Sequence, residues 1–82
     1  MYKKGGTFMN LSTAPIGVPM KIMKIRIKGD QKKQLANMGF VEESIITVVS
    51  STGGNIIVNV KDSRVGIGLD LSSKIMVIPS QD

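Results

Sequence analysis

The apolar positions of this chain fall in short runs, and the spacing inside each run decides what it builds. Between Met20 and Ile27 (MKIMKIRI), isoleucines stand among cations, but the step from Ile22 to Ile25 breaks strict alternation. A period of two interrupted in this way predicts a strand with a bulge or a strong bend. Ser44–Ser50 (SIITVVS) is a strand with apolar residues on both sides, and Ile56, Val58 and Val60 line one face of the next. Between these two, Thr52-Gly53-Gly54-Asn55 reads as a hairpin turn in which glycine supplies positive φ. Lys61-Asp62-Ser63 makes the following turn. Val65, Ile67 and Leu69 then alternate with Gly66 and Gly68, which predicts the three apolar residues inward and bare glycine backbone outward. Asp70–Ser73 reads as a polar turn or a single helical turn, and Ile75–Ile78 (IMVI) is the last strand before Pro79.

One stretch has helical spacing. Asp30 reads as an N-cap, followed by a helix of about two turns reaching Met38. Gln31, Leu35 and Met38 share a side, so Leu35 and Met38 are expected to face the core. The helix then stops abruptly in QLANMGF, Gln34 to Phe40. Gly39 closes a helix without a Cβ penalty because it can take the left-handed conformation. Phe40 follows at once and has two readings. Burying it would contribute about 1.5–3 kcal/mol to a thin core, whereas leaving it exposed beside basic residues would make it an interface anchor.

About five short strands with tight turns and one short α-helix inserted after the first strand predict an all-β fold, a small β-barrel. An open sheet would leave the two-sided apolar strands uncovered. Gly66 and Gly68 fit either the bending that closure demands or a bare edge that admits another chain by strand addition or as a dimer contact.

The length of 82 residues limits the chain to one domain. Residues 11–79 are expected to form it, with residues 1–10 as a flexible tail, 80–82 as a C-terminal tail, and Met9 as a possible start of the folded part. No apolar run approaches the roughly 18–20 residues that cross a bilayer, so no membrane insertion is expected. The net charge is +5. Lys21, Lys24, Arg26, Lys28, Lys32 and Lys33 cluster together, opposed only by Asp30. Such a cluster is either ordinary solvated surface or a patch for nucleic acid, anionic lipid or an acidic protein.

The chemistry is sparse. With neither histidine nor cysteine, the chain lacks the commonest general base, the usual nucleophile–base pairs and the usual transition-metal ligands. Glu42 and Glu43 are adjacent, but neighbours on extended chain point apart, so they read as solvated charges. The methionines show no cluster of the kind that would hold Cu(I); Met20, Met23, Met38 and Met76 are read as core filling. Gly66-Ile67-Gly68 lacks the third glycine and the following helix of a dinucleotide fingerprint. Tyr2, Phe8 and Phe40 are the only aromatics, few for stacking bases. No catalysis, cofactor or metal residue is expected.

The stretches GVPMKIMKI, QLANMGF, IITVVSSTGGNIIVNV and RVGIGLDLSSKIMVI resemble, in that order, the FeoA family of small ferrous iron transport proteins. Gly17 matches the glycine that opens the family's first strand. Leu35, Met38, Gly39 and Phe40 match its helix stop, Gly53-Gly54 and Ile56–Val60 its glycine hairpin, and Ile75 and Val77 its alternating end. The resemblance covers about Leu11 to Pro79. Three positions depart from it: Val41-Glu42-Glu43-Ser44 lacks a glycine often found there, Ser72 stands where alanine is common, and Leu69-Asp70 replaces a frequent basic residue. The resemblance implies an SH3-like barrel without enzymatic activity, acting in the cytoplasm, and peripherally at the inner face of the membrane through its partner. That partner is FeoB, the permease with a GTP-binding cytosolic region. A related barrel forms the C-terminal module of metal-dependent repressors; a free-standing chain with its own start favours the transport accessory.

Lys28, Lys32, Lys33, Leu35, Phe40, Gly66 and Gly68 are the residues expected to meet a partner, with Gly39, Gly53 and Gly54 structural. A homo-oligomer is compatible with these surfaces. Two other functions compete: an RNA- or ribosome-associated SH3-like barrel using the Lys21–Lys33 patch, and a small metal-binding protein. Nucleic-acid binding is disfavoured by the scarcity of aromatics, and steep weakening with salt would be its mark.

Overall fold

The computed structural model describes residues 8–80. The rest of the expected tails lies outside the described residues. The order of elements is β1 (Met9–Asn10), a 3-10 turn (Leu11–Thr13), β2 (Pro19–Ile25), α1 (Asp30–Asn37), β3 (Ile45–Thr52), β4 (Asn55–Val60), β5 (Ser63–Gly68), α2 (Leu69–Ser72) and β6 (Ile75–Pro79). The strands form one antiparallel sheet in the order β1-β6-β2-β3-β4-β5. α1 follows the first long strand, as expected. The two-residue β1 precedes it and pairs Met9 with Val77 and Asn10 with Met76, inside the expected tail.

One face of this sheet supplies nearly the whole core, so the sheet must curl upon itself. Met20, Ile22, Ile46, Val48, Ile56, Val58, Val60, Ile67, Ile75 and Val77 all meet in a single cluster with Leu11, Leu35 and Phe40. Short elements pack near the ends of the sheet, with α2 touching β4, β5 and the 3-10 turn. This is a small all-β SH3-like barrel. Its outer face is covered less than the two-sided apolar strands predicted: Ile45 is exposed, and Val49, Met76 and Ile78 are half-buried.

The broken alternation of β2 has its expected cause. The β2–β6 register shifts between Ile22 and Lys24, an extra residue that bends the strand. A second shift lies in β3 between Val48 and Ser50.

Several local expectations need correcting. The N-cap of α1 is Gly29 at φ 72°, with Asp30 the first helical residue, and no side chain caps the helix. Gly29 serves because its carbonyl accepts from the Lys32 and Lys33 amides at 3.1 and 3.3 Å while its backbone takes a turn closed to other residues. Met38 is exposed rather than buried, because it is the C-cap residue where the helix has begun to unwind. Among the methionines read as core filling, Met20 alone is fully buried; Met23 and Met76 are half-buried. Leu69 is exposed as well: β5 ends at Gly68, and Leu69 opens α2. Gly53 and Gly54 make the β3–β4 turn, but neither has positive φ, and a Cβ on either would meet open space. The neighbouring bulge in β3 adds local twist, so this turn does not depend on left-handed residues.

Candidate functional site

The helix stop and the basic stretch before it form one unit. Gly39 has φ 99°. Its amide donates to the Ala36 carbonyl at 3.0 Å, and the Phe40 amide donates to the Leu35 carbonyl at 2.8 Å. These are the paired bonds of a Schellman motif, which brings the residue after the glycine back onto the last turn. Phe40 is therefore folded under α1 with no exposed surface, and Leu35 is buried with it. The reading of Leu35 and Phe40 as contact residues is corrected accordingly: they hold α1 on the barrel and present nothing to a partner. The apolar surface beside this corner comes instead from Met38, 39% exposed, and Val41, 42% exposed.

At the other end of α1, Lys28, Lys32 and Lys33 are all exposed, and Asp30 between them is exposed too. The strand that leads there contributes further cations. Ile25 and Ile27 are buried, which turns Lys24, Arg26 and Lys28 outward. The Arg26 amide donates to the Lys74 carbonyl at 2.8 Å, so the chain just before β6 runs beside this stretch and brings the exposed Lys74 to the same region. Sequence spacing gave no sign of Lys74, because its place depends on the pairing of two strands distant in the chain.

Gly66 and Gly68 lie elsewhere, on β5 at the end of the sheet. Gly66 is exposed and Gly68 half-buried. A Cβ at Gly66 would lie 3.3 Å from Ile57 Cδ1, so the glycine makes room for a neighbouring side chain on the outer face. The expected contact residues thus occupy two separate surfaces, one at α1 and one at β5.

Among the described residues no group of three or more acidic side chains is placed to hold a metal ion, and no helix is long and apolar enough to cross a membrane. Among the same residues the only buried polar side chain is Ser72, whose hydroxyl donates to the Leu69 carbonyl at 3.0 Å. The architecture is that of a small SH3-like barrel with its charged residues on the outside.

Several solved structures have this shape. The chain is similar to iron(II) transport protein A from Clostridium thermocellum, with a TM-score of 0.82 and 26% identity, over 87% of this chain and 45% of that one. The chain thus spans less than half the length of that protein. An iron uptake regulatory protein (FeoA) is similar along nearly its whole length: TM-score 0.80, 27% identity, 90% of this chain and 99% of that one. A manganese-dependent transcriptional repressor shares the fold at 19% identity and a TM-score of 0.82, over 94% of this chain and 44% of that one. No curated protein matches by sequence. The FeoA domain matches residues 9–79, and the chain belongs to the FeoA family of ferrous iron transport. That family is a small accessory domain of iron transport and is not a known enzyme family.

Proposed function

We propose that this protein is a non-enzymatic accessory of ferrous iron uptake, acting in the cytoplasm by direct contact with the GTP-binding region of a FeoB-type permease. The observation that carries this reading is the exposed surface of α1: cations at its start, Met38 and Val41 at its end, and a buried Leu35–Phe40 anchor beneath. Such a surface combines the two ingredients of a protein interface. Charge steers the encounter, and an apolar spot at a rigid corner gives it contact area that excludes water. The anchor matters because a helix of this length is unstable alone; its packing fixes the geometry of the surface before the partner arrives.

The test is direct titration of the protein with the isolated GTP-binding region of the permease, repeated over a range of salt. Saturable binding that weakens only moderately with salt supports the reading. Absence of binding, together with tight association with RNA that collapses as salt rises, overturns it in favour of an RNA-associated barrel.

A further inference from the structure

β5 stands at one end of the sheet, and among the described residues no strand pairs with its outer edge. The register shows what that edge carries. The Leu69 amide donates to the Gly54 carbonyl at 3.1 Å, and β4 pairs with β5 as Asn55↔Gly68, Ile56↔Ile67, Val58↔Val65 and Val60↔Ser63 without a shift. Bonded and non-bonded pairs alternate along an antiparallel ladder. Ile67, Val65 and Ser63 therefore turn their peptide groups toward β4. Arg64, Gly66 and Gly68 turn theirs outward, to the free edge. Proteins usually protect such an edge with charged side chains, proline or a bulge; β5 has neither proline nor bulge, Arg64 is the one charge among its three edge residues, and the other two are glycine.

We propose that β5 pairs with β5 of a second copy of this chain, antiparallel, about a two-fold axis at Gly66. In that register Gly66 meets Gly66 of the second copy, and Arg64 meets Gly68 of the second copy at both ends. All three outward residues are then bonded, and the interface is the same patch on both sides, as a two-fold requires. An axis moved by one residue leaves one of the three unpaired. An axis at Arg64 sets the guanidinium against its own mate, where like charges opposite one another are unfavourable. On the outer face, Ile57 of each copy reaches over its own Gly66, so the central glycine pair gains an apolar roof. This contact is small, and small interfaces are weak and transient. Because each copy carries net charge +5, added salt strengthens the pairing, the opposite of its effect on a steered contact with an acidic partner.

Sedimentation of the full chain over a concentration series tests this, with Gly68→Glu and Gly68→Lys beside the wild type. Gly68 has room for either: the nearest atom to its Cβ position is Asn55 Oδ1 at 3.7 Å. The change Gly68→Glu would set a carboxylate against Arg64 of the second copy and tighten the dimer. The change Gly68→Lys would set a second cation there and loosen it, each by roughly two- to tenfold in dissociation constant. Arg64→Glu combined with Gly68→Lys should restore pairing. Independently, the chain has no cysteine, so Gly66→Cys gives a single thiol at the axis that should cross-link on oxidation, while the exposed Thr52→Cys should not. The proposal is overturned if the wild type stays monomeric at every concentration and Gly66→Cys fails to cross-link. It is equally overturned if Gly68→Glu and Gly68→Lys shift the equilibrium in the same direction while both variants melt as the wild type does. Either result would leave the edge to a strand from a different protein.

Discussion

Gly39 answers to two constraints, only one of which is visible in the sequence. Its φ of 99° is the left-handed region that a helix stop demands, and the abrupt ending of QLANMGF announces that much. The second comes from across the barrel: a Cβ on Gly39 would sit 2.6 Å from Val60 Cγ1, on a buried, χ1-restricted side chain that cannot swing away. Gly39→Ala should therefore cost about 2–4 kcal/mol, the sum of backbone strain and overpacking. Denaturant unfolding measures it, and a double variant with Val60→Ala should cost less than the two single changes together, since it removes the collision and leaves the strain. An additive result would mean that φ alone governs the position. The reverse situation holds at Glu43 and Lys61, at φ 75° and 57°. Glu43 is the third residue of a turn closed by the Ser44 amide donating to the Val41 carbonyl at 3.1 Å, where positive φ calls for glycine. Glu43→Gly should stabilise the fold by about 0.5–1 kcal/mol, the relief of strain less the added freedom of the unfolded chain; an unchanged or lowered melting temperature would contradict this.

At the scale of elements, the strands, the bulge in β2 and the existence of α1 were legible because each rests on local periodicity. The exact role of individual turn residues was not, because a turn's dihedrals depend on the twist of the strands it joins. Gly53-Gly54 looked like a turn that needs glycine, yet neither residue has positive φ and both have open space around them. Glycine there only adds disorder to the unfolded state, so Gly53→Ala and Gly54→Ala should each raise stability by about 0.4–1 kcal/mol. A loss in either case would mean that the turn needs the backbone freedom of glycine after all. α2 offers a parallel case. Ser72, at the end of α2, is fully buried. Its hydroxyl donates to the Leu69 carbonyl, which also accepts from the Ser73 amide at 2.9 Å. That carbonyl keeps a partner without the serine, so Ser72→Ala should leave the hydrogen bonding of this turn satisfied. The outward turn of Leu69 and Met38 was illegible for a common reason: both lie at element ends, where the period that predicts burial no longer applies.

The whole molecule adds what no local pattern contains. β6 comes last in the chain yet lies between β1 and β2, and this crossing is what carries Lys74 to the side of Arg26 and extends the basic region beyond the Lys21–Lys33 run. Burial likewise sorted the expected site: Leu35 and Phe40 went to the core, and the lysines stayed outside. Lys32 and Lys33 are the most informative of these, because the fold does not want them. Both sit in the first turn of α1, where the peptide dipoles present positive charge, so each cation costs about 0.3–1 kcal/mol relative to a favourable anion. If their role is to steer an acidic partner toward Met38 and Val41, exchanging them for glutamate separates stability from function. The variant Lys32→Glu with Lys33→Glu should melt no lower than the wild type. It should associate with the permease's GTP-binding region more slowly, with little change in dissociation rate, because charges at the rim of an interface act chiefly on encounter. The deficit should shrink as salt rises and screening removes the steering from both proteins. Stopped-flow association at low and high salt makes the distinction. Equal rates at low salt would reduce the two lysines to solvated charge and place the docking surface elsewhere on the barrel.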